Sequence, residues 1–303
     1  MRGTAVVLAA TLLAGGCGAA LDPGPAGSRL YPFDSAVYFT AEQNAALHAA
    51  EGRLTERCMR RHGFTYRPGG SPADPWEPDD PYGLLEESEA GVDGYRITPR
   101  LMAERGSAGS PRAEPSRGDR SGAAKRGRAW ERALLGSQRM TIRLPGGQAV
   151  ELSADGCAAK ARDELYGERW DRLYYVFQAL SNQVITRVGR HPDVRAAQRD
   201  WSRCMAADGY AFDALQEAQA NVTRRVEKAA GRGSAAVQAA ARHELNVASA
   251  DARCQQEAGM RAVFRDTQKD IEHKVLGSHG DELERLRSMR DRALSDVMPR
   301  QPR

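Results

Sequence analysis

The hydrophobic positions of this chain recur mostly at helical spacing. Leu47, Ala50, Leu54 and Cys58 form one stripe, opened by Thr40 and closed by Gly63. Thr40 with Gln43 makes a capping box, and Gly63 suits the left-handed residue beyond a helix end. The spacing predicts a helix over 41–62. A second stripe, Leu173, Val176, Phe177, Leu180, Val184 and Val188, predicts a long helix over 154–188, capped by Ser153 and stopped by Gly189. Pro192 suits the first turn of a helix over 192–207, with Val194, Ala197, Trp201, Cys204 and Met205 on its buried face. Further helices are predicted over 213–229 and 234–276, the second capped by Ser234, and a last one over 281–297, antiparallel to its predecessor. Only one stretch alternates with period two. Met140, Ile142 and Leu144, then Pro145-Gly146-Gly147, then Val150 and Leu152 predict a small hairpin over 139–152.

The pattern fails over 67–128. Prolines 68, 72, 75, 78 and 81 interrupt any helix in its first part, which is acidic at Asp74, Glu77, Asp79 and Asp80. Those acids, with Glu86, Glu87 and Glu89, lack the spacing of a calcium loop and read as solvated. Tyr82-Gly83-Leu84-Leu85 and Gly94-Tyr95-Arg96-Ile97 have enough apolar content to dock on a core. Residues 103–128 contain no Val, Ile, Leu or aromatic residue. They carry seven cationic residues against three acids, a surplus of four that equals the chain's formal net charge of +4. This stretch reads as a disordered basic loop, with Arg112, Arg117, Arg120, Lys125, Arg126 and Arg128 as a candidate anion-binding set. The expected fold class is therefore mainly α. It is a disulfide-stapled bundle of about six helices over 40–297, with a long Pro-rich and disordered insert, one small β-hairpin and a tail over 298–303.

An internal repeat frames the bundle. Cys58-Met59-x-x-x-Gly63-Phe64-x-Tyr66 and Cys204-Met205-x-x-x-Gly209-Tyr210-x-Phe212 share one pattern at the ends of two predicted helices. Each is followed by another cysteine with a similar lead-in, Ala154-Asp155-Gly156-Cys157 and Ala250-Asp251-Ala252-Arg253-Cys254. Four cysteines allow three pairings. The repeat favours Cys58–Cys157 and Cys204–Cys254, the insert accounting for the longer first loop. Spacing for a structural zinc site is missing, so neither metal nor cofactor is expected. Trp201 and Tyr210 beside Cys204 read as packing around a disulfide, or as the wall of a ligand groove.

The N-terminus bears on location. Arg2, the apolar run 5–13 and the small residues Ala14-Gly15-Gly16 before Cys17 have the form of an export signal. Cysteine after small residues resembles the lipobox of bacterial lipoproteins. That resemblance implies cleavage after residue 16, a diacylglycerol on the Cys17 thiol and a tether over 17–39. The protein would then sit on the outer face of the cell membrane, held to membrane lipid through Cys17. The Cys-Met motifs, Tyr82-Gly83, Gly94-Tyr95, Trp201-x-x-Cys204 and Ala248-x-Ala250-Asp251-x-x-Cys254 together resemble a family of exported actinobacterial proteins, many of them lipoproteins. The family carries no established activity, so the resemblance implies architecture and location alone.

Catalytic motifs are missing. Gly231-x-Gly233-x-x-Ala236 follows a helix rather than a strand and reads as a helix break. His243-Glu244 has Val247 where a zinc motif needs a second histidine, and reads as a solvated helix face. The expected role is a non-catalytic binding module for an envelope protein or an anionic wall polymer, with nucleic acid excluded by location. The alternatives are an accessory or solute-binding part of a membrane transport system and a divergent envelope hydrolase.

Overall fold

A computed structural model describes residues 29–68, 79–108 and 120–298. Within them the chain is mainly helical, with one antiparallel hairpin and the two expected disulfides, Cys58–Cys157 and Cys204–Cys254. The export signal, Cys17, Asp74, Glu77, Arg112 and Arg117 lie outside the described residues. No helix among those described is long and apolar enough to cross a membrane.

The domain starts earlier than residue 40. A short left-handed turn, α1 (Pro32–Ser35), puts Phe33 into the core, edge-on to Phe177 at 5.7 Å between centroids. The Phe33 amide donates to Glu272 Oε1 at 3.0 Å. Helix α2 (Ala41–Arg61) begins with the expected capping box of Thr40 and Gln43. Helices α3 (Glu87–Asp93), α4 (Ile97–Ala108) and α5 (Arg120–Leu135) come from the insert, so the stretch expected to be disordered is helical over 103–108 and 120–128. Long runs of Ala, Arg and Lys have good helix propensity, which an argument from missing apolar residues overlooks. The hairpin pairs β1 (Arg139–Arg143) with β2 (Ala149–Ser153), matching Ile142 with Val150. Ser153 belongs to β2 and caps nothing.

Two predicted long helices are broken. The first becomes α6 (Gly156–Tyr166) and α7 (Trp170–Gly189), separated at Gly167 and Arg169 with φ of 95° and 77°. The intervening α8 (Pro192–Ala207) and α9 (Leu215–Ala230) match expectation closely. The second becomes α10 (Ser234–Glu257) and α11 (Met260–Leu276), separated at Gly259 with φ of 61°. Gly233, not Ser234, is the N-cap of α10. A left-handed residue ends the hydrogen-bond ladder and re-aims the next helix, while the apolar stripe continues across it. Finally α12 (Gly280–Val297) packs on α7, α2 and α6 rather than on α11. The helix count exceeds six because of these breaks, the insert and the short first turn.

The core has two parts. The larger runs through α7, α8, α9, α10, α11 and α12, around Trp201, Phe177, Met205, Val184 and Leu286. The smaller consists of Cys58, Met59 and Cys157, covered by Phe64, Tyr66, Trp130, Ala133 and Leu134. The small cluster ties α2 and α5 to α6.

Candidate functional site: an aromatic groove carrying carboxylates

The sharpest cue in the sequence leads to scaffold. Trp201 is buried and its indole Nε1 donates to Asp251 Oδ1 at 2.8 Å. Gln255 Nε2 donates to the same oxygen at 2.8 Å, and the Tyr95 hydroxyl donates to Oδ2 at 2.6 Å. Tyr210 stacks on Phe212. Trp201 is therefore fully buried, in the core that also holds Cys254, and presents no surface to a groove. The neighbouring Glu244, expected on a solvated face, is buried instead. It accepts from the Ile97 amide at 2.7 Å, the Thr98 amide at 3.0 Å and the Thr98 hydroxyl at 2.5 Å, and so caps α4. Gly94 passes so close that a Cβ there would lie 2.8 Å from Glu244 Cγ. Gln255 also bonds Leu85 N and Gly83 O. Positions 244, 251 and 255 share one face of α10, and that face reads the insert through hydrogen bonds rather than grease.

Three of the insert's acids are likewise structural, whereas Glu87 and Glu89 are exposed, as expected. Asp80 is buried, not solvated, and accepts from the amides of Leu30, Tyr82 and Leu84. Asp79 pairs with Arg100 at 2.7 Å and with Arg96 at 3.6 Å, while Glu86 pairs with Arg261. These pairs lie along a polar cleft of about 370 Å³ between the insert and α9, which Arg29, Glu89 and Asp93 also line.

The other half of the molecule is different. A groove of about 560 Å³ opens where α2, the hairpin, α6 and α7 meet. One wall is aromatic. Tyr166 stacks on Trp170 at 4.5 Å and 10°, and Trp170 on Tyr174 at 5.7 Å and 25°. Tyr175 stands edge-on to Tyr174 at 5.6 Å, and Phe39 leans on Trp170 at 6.4 Å. Four-residue spacing puts Tyr166, Trp170 and Tyr174 on one side of the α6–α7 junction, which the break at Gly167 turns into a wall. Trp170 is buried, and the tyrosines are half-exposed. The hydroxyls of Tyr166, Tyr174 and Tyr175 make no hydrogen bond to any described residue.

The floor holds an acid–base cluster. Arg162 of α6 grips Asp171 of α7 through Nε at 3.1 and 3.0 Å, and its terminal nitrogen lies 3.9 Å from Glu51 Oε1 of α2. Glu51 is half-buried and accepts no hydrogen bond from a described residue. Burial pushes its carboxyl above the ordinary value, against the pull of Arg162 and His48. Burial also raises the Tyr166 phenol, and Glu51 adds to that rise. His48 and Glu151 reach the groove from α2 and β2. Arg139 donates to Ser153 Oγ at 2.6 Å. Cys58–Cys157 joins α2 to α6 and so holds the floor against the wall.

The expected site residues do not converge on this groove. Arg120, Lys125 and Arg126 belong to the backbone of α5, and Arg128 is exposed there. His62 lies beside Cys58 and Cys157, all three offering ligand atoms within 4.8 Å of one another, but the two sulfurs are joined, leaving the imidazole alone. Sequence reasoning missed Glu51, Arg162, Asp171 and the aromatic wall. The Tyr166, Trp170, Tyr174 spacing was visible, yet a helix drawn straight through 154–188 hides that it forms a wall. Comparison with protein families, curated proteins and solved structures finds no match.

Proposed function

We propose that this protein is a lipid-anchored, non-catalytic binding module on the outer face of the membrane, and that the aromatic groove is its binding face. The anchor is Cys17, read from the lipobox-like sequence before it. The groove carries the proposal because it combines apolar walls with polar groups that the protein leaves without hydrogen bonds, as ligand sites do. The insert cleft, by contrast, has Asp79 paired with Arg100 and Glu86 with Arg261. Arg162 engages both oxygens of Asp171.

A photo-crosslinking side chain placed at His48 tests this in cells, with the same group at exposed Arg203 as control. Envelope material attached from His48 and not from Arg203 is the expected result. Equal labelling from both positions, or none, would reject the groove as the binding face. Replacing Arg112, Arg117, Arg120, Lys125, Arg126 and Arg128 by Gln separates the groove from the basic segment. Adducts that vanish in this variant would transfer the role to that segment and restore an anionic polymer as partner. Cys17→Ala is expected to move the protein out of the detergent phase.

A further inference from the structure

We infer that the groove binds an uncharged saccharide chain, with Tyr166, Tyr174 and Tyr175 against the sugar rings and Glu51 accepting hydrogen bonds from their hydroxyls. This rests on the groove being the binding face, and it names the ligand class.

A sugar ring is amphipathic, with C–H faces bordered by hydroxyls. Tyrosine matches it with an apolar body and a polar tip. Here three half-exposed tyrosines line one groove, their hydroxyls without partners among the described residues. Trp170 behind them is locked between Tyr166 and Tyr174, so the wall keeps its shape without a ligand. Such rigidity lowers the ordering cost of binding.

Charge disfavours the obvious competitor. Arg162 already faces Asp171 and Glu51, and Arg139 is tied to Ser153. Even with Arg139 counted, Glu51, Asp171 and Glu151 outnumber Arg162 and Arg139 in the lining, so phosphate or sulfate meets a groove of net negative charge. A polyanion would meet repulsion here, whereas hydroxyl donors find an acceptor. Glu51 suits that role because it is half-buried, without a protein hydrogen bond, and 3.9 Å from its cation. A hydrogen bond to a charged acceptor is roughly twice as strong as a neutral one. Burial, which raises the carboxyl, marks the same hunger for a donor.

The test uses the full chain in a detergent that carries no sugar. Calorimetric titration is run with a β-1,4-linked N-acetylglucosamine oligomer, a neutral glucan oligomer and a polyphosphate of similar length. Saturable binding of at least one oligosaccharide is expected, weakened about tenfold or more by Tyr174→Ala and by Glu51→Ala, a loss of about 1.4 kcal/mol. Tyr175→Ala, at a half-exposed position, keeps the test valid if Tyr174→Ala unfolds the wall. Glu51→Gln, which retains an acceptor, is expected to lose less than Glu51→Ala. Oligosaccharide binding untouched by every groove variant would overturn the assignment, as would saturable binding of polyphosphate alone. Failure of all three probes, with His48 adducts still forming in cells, would overturn the saccharide and leave the binding face standing. Failure of both would remove the two readings together.

Discussion

The two Cys-Met units are alike in backbone and opposite in setting. In the first, Gly63 N donates to Arg60 O at 3.0 Å and Phe64 N to Met59 O at 3.0 Å; in the second, Gly209 N donates to Ala206 O at 3.0 Å and Tyr210 N to Met205 O at 2.9 Å. Both glycines are left-handed, with φ of 76° and 87°. Both methionines are fully buried. Yet Met205 and Cys254 join the large core, while Met59, Cys58 and Cys157 form a cluster of their own. The aspartates ahead of the partner cysteines diverge further. Asp251 is buried under Trp201, Tyr95 and Gln255, and burial raises its carboxyl. Asp155 is solvated, and hydrogen bonds from the amides of Gln138 and Ser137 lower its carboxyl. One sequence device serves a rigid scaffold in one half and a groove-bearing lobe in the other.

The disulfides offer the largest test of that difference. Chain entropy alone makes the first bridge, spanning 99 residues, slightly more stabilising than the second, spanning 50, both at about 4–5 kcal/mol. The packing predicts a different readout. Replacing Cys204 and Cys254 by Ser is expected to lower protection from hydrogen exchange throughout α7 to α11. Replacing Cys58 and Cys157 is expected to lower it only in α2, α5 and α6, and to abolish groove binding. Equal, global loss in both variants would mean that the two lobes fold as one unit.

Next comes Asp251→Ala, expected to cost about 3–5 kcal/mol because it strands the buried donors of Trp201, Tyr95 and Gln255. Asp155→Ala is expected to cost a small fraction of that in chemical denaturation. Met205→Ala should cost about 3–5 kcal/mol and Met59→Ala about 2–3 kcal/mol, since a small cluster collapses more readily around a cavity. Comparable losses at Met59 and Met205 would erase the distinction between the two cores.

The smallest effect concerns pH. Burial raises the Asp251 carboxyl above its unfolded value of about 3.9. The folded state then holds the proton more tightly, so this contribution to stability is full below the unfolded pKa and declines as pH rises through the folded one. Asp155 has the opposite sign, its contribution being present above the unfolded value and lost as pH falls through its lowered folded pKa. Asp251→Asn is expected to flatten the mildly acidic limb of Tm against pH, and Asp155→Asn the strongly acidic limb. A change on the same limb in both variants would refute the assignment.

Much of the frame was legible before any coordinates. The Thr40 capping box, the glycine ends at 63 and 209, the Ile142–Val150 hairpin and the cysteine pairs implied by the repeat all lie in short, local patterns. Glu244 and Asp80 were not legible. An acid on a helix or in a proline-rich loop reads as solvated unless its donors are known, and the donors of Glu244 come from Ile97 and Thr98, far away in sequence. The groove was hidden for the same reason, since Glu51, Arg162 and Asp171 lie on three helices and meet only after folding.

The sequence by itself determined which stretches outside the insert are helical, how the Cys-Met helices end and which residues alternate in the hairpin. Those outcomes depend on a turn or two of backbone, a cap and the period of the side chains. Only the tertiary structure decided where the long stripes break, since an apolar stripe runs on unchanged across a left-handed glycine. It also decided that α10 receives the insert through Glu244, Asp251 and Gln255 and that α2 meets α7 across a groove. Hydrogen bonds and ion pairs between distant segments carry no periodic mark, because each partner is chosen by its place in space rather than its place in the chain.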